Sequence, residues 1–286
     1  MRLSIRHATT YAYDPPAERC ALRLRLYPPG FDSQRVLSWK VSVNDQVLPA
    51  LLSTATGDRE SIWTCAGGHA EVAIVAEGEI ETRDAAGVVK GLKDTVRPQI
   101  FLRPTPLTET DKRIEELAAG VAGDKALDRM HALFNAVADA VAYKPGSTSS
   151  LTTAAQALKA GQGVCQDHAH VFIAAARVLR FPARYVVGYL LASDAKLTET
   201  HAWAEAWAPD IGWVGFDPSN RLCPTDRYVR LGCGLDAADA APIRGNVSGG
   251  PKERLSASVD IAQMPGQSQS QNQDGQNQAG QNQTQQ

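Results

Sequence analysis

What this chain lacks narrows it first. Its 286 residues hold only five cysteines, an odd number, spread as Cys20, Cys65, Cys165, Cys223 and Cys233. No two form a C-x-x-C pair, which excludes a zinc ribbon or a thioredoxin-type dithiol and leads us to expect reduced thiols in a cytoplasm. No apolar run approaches the ~18 residues that a membrane helix needs. The start, Met-Arg-Leu-Ser-Ile-Arg-His, has no apolar core of a secretory signal. Neither sign of charge prevails: 29 Lys and Arg against 31 Asp and Glu leave −2. Neither nucleic acid nor membrane is therefore an expected partner. Aromatics are scarce at 6%, yet Trp203, Trp207 and Trp213 crowd into one short stretch.

What is present falls into two halves. Up to about residue 100, apolar and polar residues alternate. Leu3 and Ile5, then Leu22, Leu24 and Leu26 around Arg23 and Arg25, then Trp39, Val41 and Val43, then Val72 and Ile74 each mark a half-buried strand. Asp14-Pro15-Pro16, Pro28-Pro29-Gly30, Asn44-Asp45, Gly57-Asp58 and Gly67-Gly68 read as the turns between them. Short strands without a helical interlude predict a β-sandwich over 1–100, with Arg23 and Arg25 on a solvated face. Pro98, Pro104 and Pro106 suit a linker over 101–110. Helical spacing then takes over, in Ile114, Leu117 and Val121 behind a Thr110 or Asp111 cap, and in Leu127, Met130, Leu133, Phe134, Val137 and Val141. A short helix over 153–160 stops at Gly161.

The stretch Gly161-Gln162-Gly163-Val164-Cys165-Gln166-Asp167-His168-Ala169-His170 then opens an apolar helix. It puts Cys165 at a helix N-terminus, where free N–H groups and the helix dipole favour thiolate. Two glycines give the backbone freedom to turn into it. Strands follow over 184–191, 201–208 and 213–217, with a polar loop over 193–200. In the second of these strands His201, Trp203, Glu205 and Trp207 point one way and Ala202, Ala204 and Ala206 the other. The turn at Ile211-Gly212 makes the last two strands a hairpin, so that His201 and Asp217 meet at the end remote from the turn. Nucleophile, base and orienting carboxylate are the parts acyl transfer needs. They stand here in the order Cys165, His201, Asp217. The Cys165 N–H is a natural oxyanion donor, with the Gln162 and Gln166 side chains as candidates for the second and Trp203 as a candidate substrate contact. His168 and His170, on the helix itself, are poorly placed to serve as the base, and Asp167 compensates the dipole. No metal ligand set and no cofactor is expected. Asp236 to Arg244 reads as an ordered loop. Leu255, Ala257, Val259 and Ile261 read as a strand returning to the first half. The Gln- and Asn-rich tail over 265–286 has nothing to bury and reads as disordered.

The residues also carry a resemblance. Gly163-Val164-Cys165-Gln166-Asp167-His168-Ala169-His170, Pro182-Ala183-Arg184-Tyr185-Val186-Val187-Gly188-Tyr189, His201-Ala202-Trp203-Ala204-Glu205 and Gly212-Trp213-Val214-Gly215-Phe216-Asp217-Pro218 resemble, in order, four motifs of bacterial transglutaminase-like proteins. Tyr11-Ala12-Tyr13 is similar to an early strand of the β-rich domain that precedes that core. The resemblance implies an α+β fold: an N-terminal β-sandwich over 1–100, a papain-like core of helices packed on an antiparallel sheet over 111–225, and a C-terminal loop and strand over 226–264. It implies a Cys-His-Asp triad at Cys165, His201 and Asp217 acting on an amide or isopeptide bond of a peptide or protein, as a peptidase, amidase or transglutaminase. Two departures stand out. His168 replaces an aromatic, and Gly234-Leu235-Asp236-Ala237-Ala238-Asp239 lacks the family's arginine and tyrosine at Leu235 and Ala237. Arylamine acetyl transfer uses the same residue types behind an R-G-G-x pattern, whereas Gly161-Gln162-Gly163-Val164 stands here. A catalytically silent peptide-binding module on the same fold is the other alternative.

Overall fold

The computed structural model describes residues 1–191, 200–249 and 252–264. Of the polar loop expected over 193–200, residues 193–199 lie outside them and Thr200 begins a strand, and the Gln/Asn-rich tail over 265–286 lies outside them as well. In chain order the elements are β1 (Arg2–Tyr27), β2 (Gln34–Val43), β3 (Gln46–Leu48), β4 (Leu52–Ser53), β5 (Arg59–Thr82), β6 (Val88–Val89), α1 (Lys112–Ala119), α2 (Ala126–Ala140), β7 (Ala142–Tyr143), α3 (Ala154–Ala160), β8 (Gln162–Gly163), α4 (Cys165–Val178), β9 (Ala183–Leu190), β10 (Thr200–Ala208), β11 (Gly212–Phe216), β12 (Tyr228–Gly234), α5 (Ala237–Ala240), β13 (Ile243–Ser248) and β14 (Lys252–Gln263). The fold is α+β, an N-terminal β region followed by a core of helices on a sheet.

The N-terminal sheet has the order β13-β1-β5-β2-β3, with β14 also on β1 and β4 on β5. Its alternating residues do what their spacing predicts. Leu3, Ile5, Leu22, Leu24, Leu26, Val41, Val43, Val72 and Ile74 are all at most 3% exposed and form one core. The turns expected at Asp14-Pro15-Pro16 and Gly67-Gly68 do not reverse the chain, because β1 and β5 run straight through them. The two irregular stretches lie opposite each other in the β1–β5 ladder, whose register slips between Ala12 and Ala17 and again before Arg19. Each therefore absorbs the other as a shared bulge. Arg25, expected in solvent, is 5% exposed and donates to the Cys233 and Asp239 carbonyl oxygens. The chain from β12 into α5 covers that face.

The second sheet has the order β12-β9-β10-β11-β6, so Val88 and Val89 from the first hundred residues join it. On one side Ala202, Ala204, Ala206, Tyr185 and Val187 pack with α2 and α4 around Met130, Phe134, Phe172 and Ile173. Asp111 caps α1 by accepting from the Arg113 and Ile114 N–H groups, and Thr153 caps α3. Residues 97–108 form two short 3₁₀ turns rather than a free linker. Phe101 is buried edge-on to Trp213, and its carbonyl accepts from Arg177 Nε at 2.8 Å. The segment expected as a loop over 236–244 contains α5 and enters β13, which pairs with β1, as does β14. No helix of the described residues is long and apolar enough to cross a membrane.

Buried ion pairs join the two halves. Arg184 binds Asp94 and Glu205, Arg230 binds Glu205 and Asp58, and Arg25 lies beside Asp58 and Glu60. Asp58 and Glu60 come from the first half, and Arg184, Glu205 and Arg230 from the second. The charges of Arg230 and Arg184 outweigh the burial of Glu205 and keep its carboxyl below its ordinary range.

Candidate active site

The approach to α4 depends on two glycines. Gly161 ends α3 in the left-handed region at φ 65°. At Gly163 a Cβ would stand 2.6 Å from the Asp167 Cβ, so only glycine admits the close crossing. Asp167 then ties down the helix entry. Its Oδ2 accepts from the Val164 N–H at 2.7 Å and from the Thr148 hydroxyl at 2.6 Å. Cys165 occupies the first helical position, half-buried, with its sulfur at the positive end of the helix.

The β10–β11 hairpin brings the other two groups. Its register pairs Ala204 with Phe216. Continued by one step, it sets Asp217 beside Trp203 and diagonal to His201. Asp217 Oδ2 lies 2.6 Å from His201 Nε2, and the Cys165 side chain is near enough to act on the ionisation of the ring. The imidazole is thus held by the carboxylate and influenced by the thiol. Burial alone would lower the His201 pKa, but hydrogen bonds to Asp217 and Cys165 and the charges of both push it up to about 10. Burial likewise acts to raise Asp217, yet His201, Asn220 and Ser219 outweigh it and hold the carboxyl at about 2.

Three partners of Asp217 escaped the sequence reading. Ser219 Oγ donates to Oδ1 at 2.6 Å, Asn220 Nδ2 to Oδ2 at 2.8 Å and the Tyr228 hydroxyl to Oδ2 at 2.7 Å. The Ser219 and Asn220 N–H groups complete the turn at 3.1 and 3.3 Å. Asp-Pro-Ser-Asn is a recognisable Asx-turn sequence, so Ser219 and Asn220 had a local signal. Tyr228 had none, because β9 separates its strand from β10. It stands edge-on to His201 with ring centres 5.8 Å apart and donates to the carboxylate that holds the imidazole. Its own ionisation is strongly disfavoured, by burial and then by Asp217.

The remaining candidates divide. Trp203 is 3% exposed, lies parallel to His201 at 6.3 Å and meets Tyr228 edge-on. It backs the imidazole. Gln166 Nε2 is turned outward to the Ser150 carbonyl at 3.3 Å. Gln162 Oε1 is held by Lys144 Nζ at 3.1 Å, which leaves its amide N–H groups to point elsewhere. His168 is buried, with its ring nitrogens on the Val164 and Val141 carbonyls. Burial holds His170 down at about 4, and its Nε2 accepts from the Ala237 N–H. Neither is free to serve as base. That contact also shows where the divergent 234–240 segment goes: it packs on α4 through His170, and through Arg177, which donates to the Leu235 carbonyl. Among the described residues no group of three or more His, Cys, Asp or Glu is placed to hold a metal ion.

Comparison with known proteins agrees with this architecture. Residues 114–218 match the family model of the transglutaminase-like superfamily, and residues 3–81 that of the bacterial transglutaminase-like N-terminal region. An uncharacterized protein of Mycobacterium leprae is 28% identical over 288 residues, covering 92% of this chain and 99% of its own. An uncharacterized Mycobacterium tuberculosis protein is 35% identical over 136 residues, 43% of each chain. The crystal structure of a proposed cysteine protease from Cytophaga hutchinsonii has the same fold, with a TM-score of 0.71 at 24% identity over 92% of this chain and 90% of that one.

Proposed function

Since the chain belongs to the transglutaminase-like superfamily, we propose that it is a thiol-dependent amide-bond enzyme working through an acyl-enzyme on Cys165. The observation that carries this reading is the His201–Asp217 contact at 2.6 Å, with the Cys165 side chain at the start of its helix near enough to act on the same imidazole. Cys165 and His201 act as a thiolate–imidazolium pair. The sulfur attacks the carbonyl carbon of a peptide or side-chain amide. The Cys165 N–H receives the oxyanion, and Gln162, whose amide N–H groups are not drawn away, is better suited than Gln166 as second donor. His201 gives its proton to the leaving amine, and Asp217 keeps the ring in the tautomer and orientation this requires. Water or a primary amine then resolves the thioester, giving hydrolysis or transamidation.

The test is intact-mass analysis of glutamine-containing peptides incubated with wild type and Cys165→Ala, with and without a primary amine. Cys165-dependent amine addition identifies a transglutaminase, and Cys165-dependent cleavage or deamidation a hydrolase. Conversion that persists in Cys165→Ala refutes the proposal.

A further inference from the structure

The β1–β5 ladder holds a second pair of thiols. Cys20 and Cys65 are direct partners in its antiparallel register, close enough for Cys65 to act on the ionisation of Cys20. Directly opposed residues of antiparallel strands have Cα atoms about 4.5–5.5 Å apart, inside the roughly 4.4–6.8 Å that a disulfide spans, and their side chains leave the same face. The spacing visible in sequence gives no hint of this, since the two residues meet only because the sheet forms. Two further features favour closure. The ladder slips register just before Arg19, and Gly67 and Gly68 follow Cys65 with φ of 100° and 70°. The strands next to the pair thus have slack to bring the sulfurs together. Access is also asymmetric: Cys20 is 3% exposed, whereas Cys65 is half-buried. Burial, then the hydrogen bond to Cys65, pushes the Cys20 thiol up to about 11.

We propose that Cys20 and Cys65 are a redox pair that closes into a cross-strand disulfide when a low-molecular-weight disulfide such as glutathione disulfide is present. Cys65, the accessible thiol, attacks one glutathione sulfur as thiolate and releases one glutathione thiolate. Cys20 then attacks the Cys65 sulfur of the mixed disulfide, its proton passing to the departing second glutathione. The protein loses two electrons and two protons, and one glutathione disulfide becomes two glutathione thiols. The bond ties two strands across a loop of residues 20–65 and is independent of the acyl chemistry at Cys165.

The experiment uses the full chain and its Cys165→Ala variant, equilibrated in glutathione buffers from reducing to oxidising, acid-quenched, denatured and alkylated. The expected result is loss of two alkylatable thiols, a Cys20–Cys65 linked peptide in a non-reducing digest, and a Tm about 5–10 °C above the reduced form. Cys65→Ser should give no linked peptide and leave Cys20 alkylatable. Two thiols that stay fully alkylatable in the oxidising buffer would overturn the proposal. So would a stable glutathione adduct on Cys65 beside a free Cys20, or linkage to a different cysteine.

Discussion

Replacing Asp217 by Asn keeps the side chain's shape but removes the charge beside His201 Nε2. The structure sets the size of the effect. Raising an imidazole from 6.5 to about 10 corresponds to a preference for imidazolium of about 5 kcal/mol. The His201 side chain is only 12% exposed, so solvent screens little of this. Asp217 and Cys165 share the effect, with the hydrogen bond to Asp217 ahead of that to Cys165, so Asp217 carries a large part of it. Turnover should therefore drop about 10²-fold. A readout that needs no substrate is the alkylation of Cys165 by iodoacetamide, followed by mass across pH. At pH 6–7 the thiolate depends on its imidazolium partner, and Asp217→Asn should react about 10–10²-fold more slowly than wild type. Above about pH 10, where ordinary thiols ionise unaided, the two rates should converge. Superimposable rate profiles at every pH would refute the claim that Asp217 acts through His201.

Tyr228→Phe removes one of the donors to Asp217 Oδ2 and should lower turnover up to about 10-fold with the thermal midpoint little changed. A loss no larger than the scatter of the assay would make the tyrosine a packing residue. Glu205→Gln removes a carboxylate, 1% exposed, that two buried arginines share. Breaking such a pair costs about 3–5 kcal/mol, so calorimetry should show a Tm lower by roughly 10 °C. Burial holds His7 and His170 down at about 4, so each stays neutral when folded while the unfolded chain takes up a proton below about 6.5. The stability they protect is complete above that pH and is lost as pH falls toward 4. Urea unfolding at pH 5 should show about 2 kcal/mol less per histidine than at pH 7, and the loss should be smaller in His170→Gln. His201 has the opposite sign. Its contribution is complete below about 6.5 and disappears as pH rises through 10, so the stability gap between wild type and His201→Gln should close over that interval.

Much of the site was legible because its cues are local. The glycines before Cys165, the helical spacing after it, the strict alternation from His201 to Trp207 and the Ile211-Gly212 turn each act over a few residues. The hairpin register then follows, and with it the meeting of His201 and Asp217. What escaped depends on pairing between distant strands. Tyr228 reaches Asp217 because β12 lies beside β9. Arg25 looks like one arginine of a solvated strand until the chain entering α5 covers it. The Asp14-Pro15-Pro16 and Gly67-Gly68 signals are ordinary turn chemistry, and only their meeting across one ladder turns two expected reversals into a bulge. Arg184 and Glu205 stood out as motif residues, but their partners Asp94 and Arg230 are far away in sequence, so their role as a buried rivet between the halves could not be read locally. Trp203 was a candidate substrate contact on an alternating strand, and its burial between His201 and Tyr228 depends on strand pairing that the strand alone does not show.

The central claim is that an acyl group passes through the Cys165 sulfur. The most direct measurement is acid-quenched, single-turnover mass spectrometry with an activated acyl ester, followed by peptide mapping. The expected result is a thioester on the Cys165 peptide that disappears on adding hydroxylamine, is absent in Cys165→Ala and accumulates more slowly in His201→Ala. An adduct on a different residue, or turnover undiminished in Cys165→Ala, would contradict it.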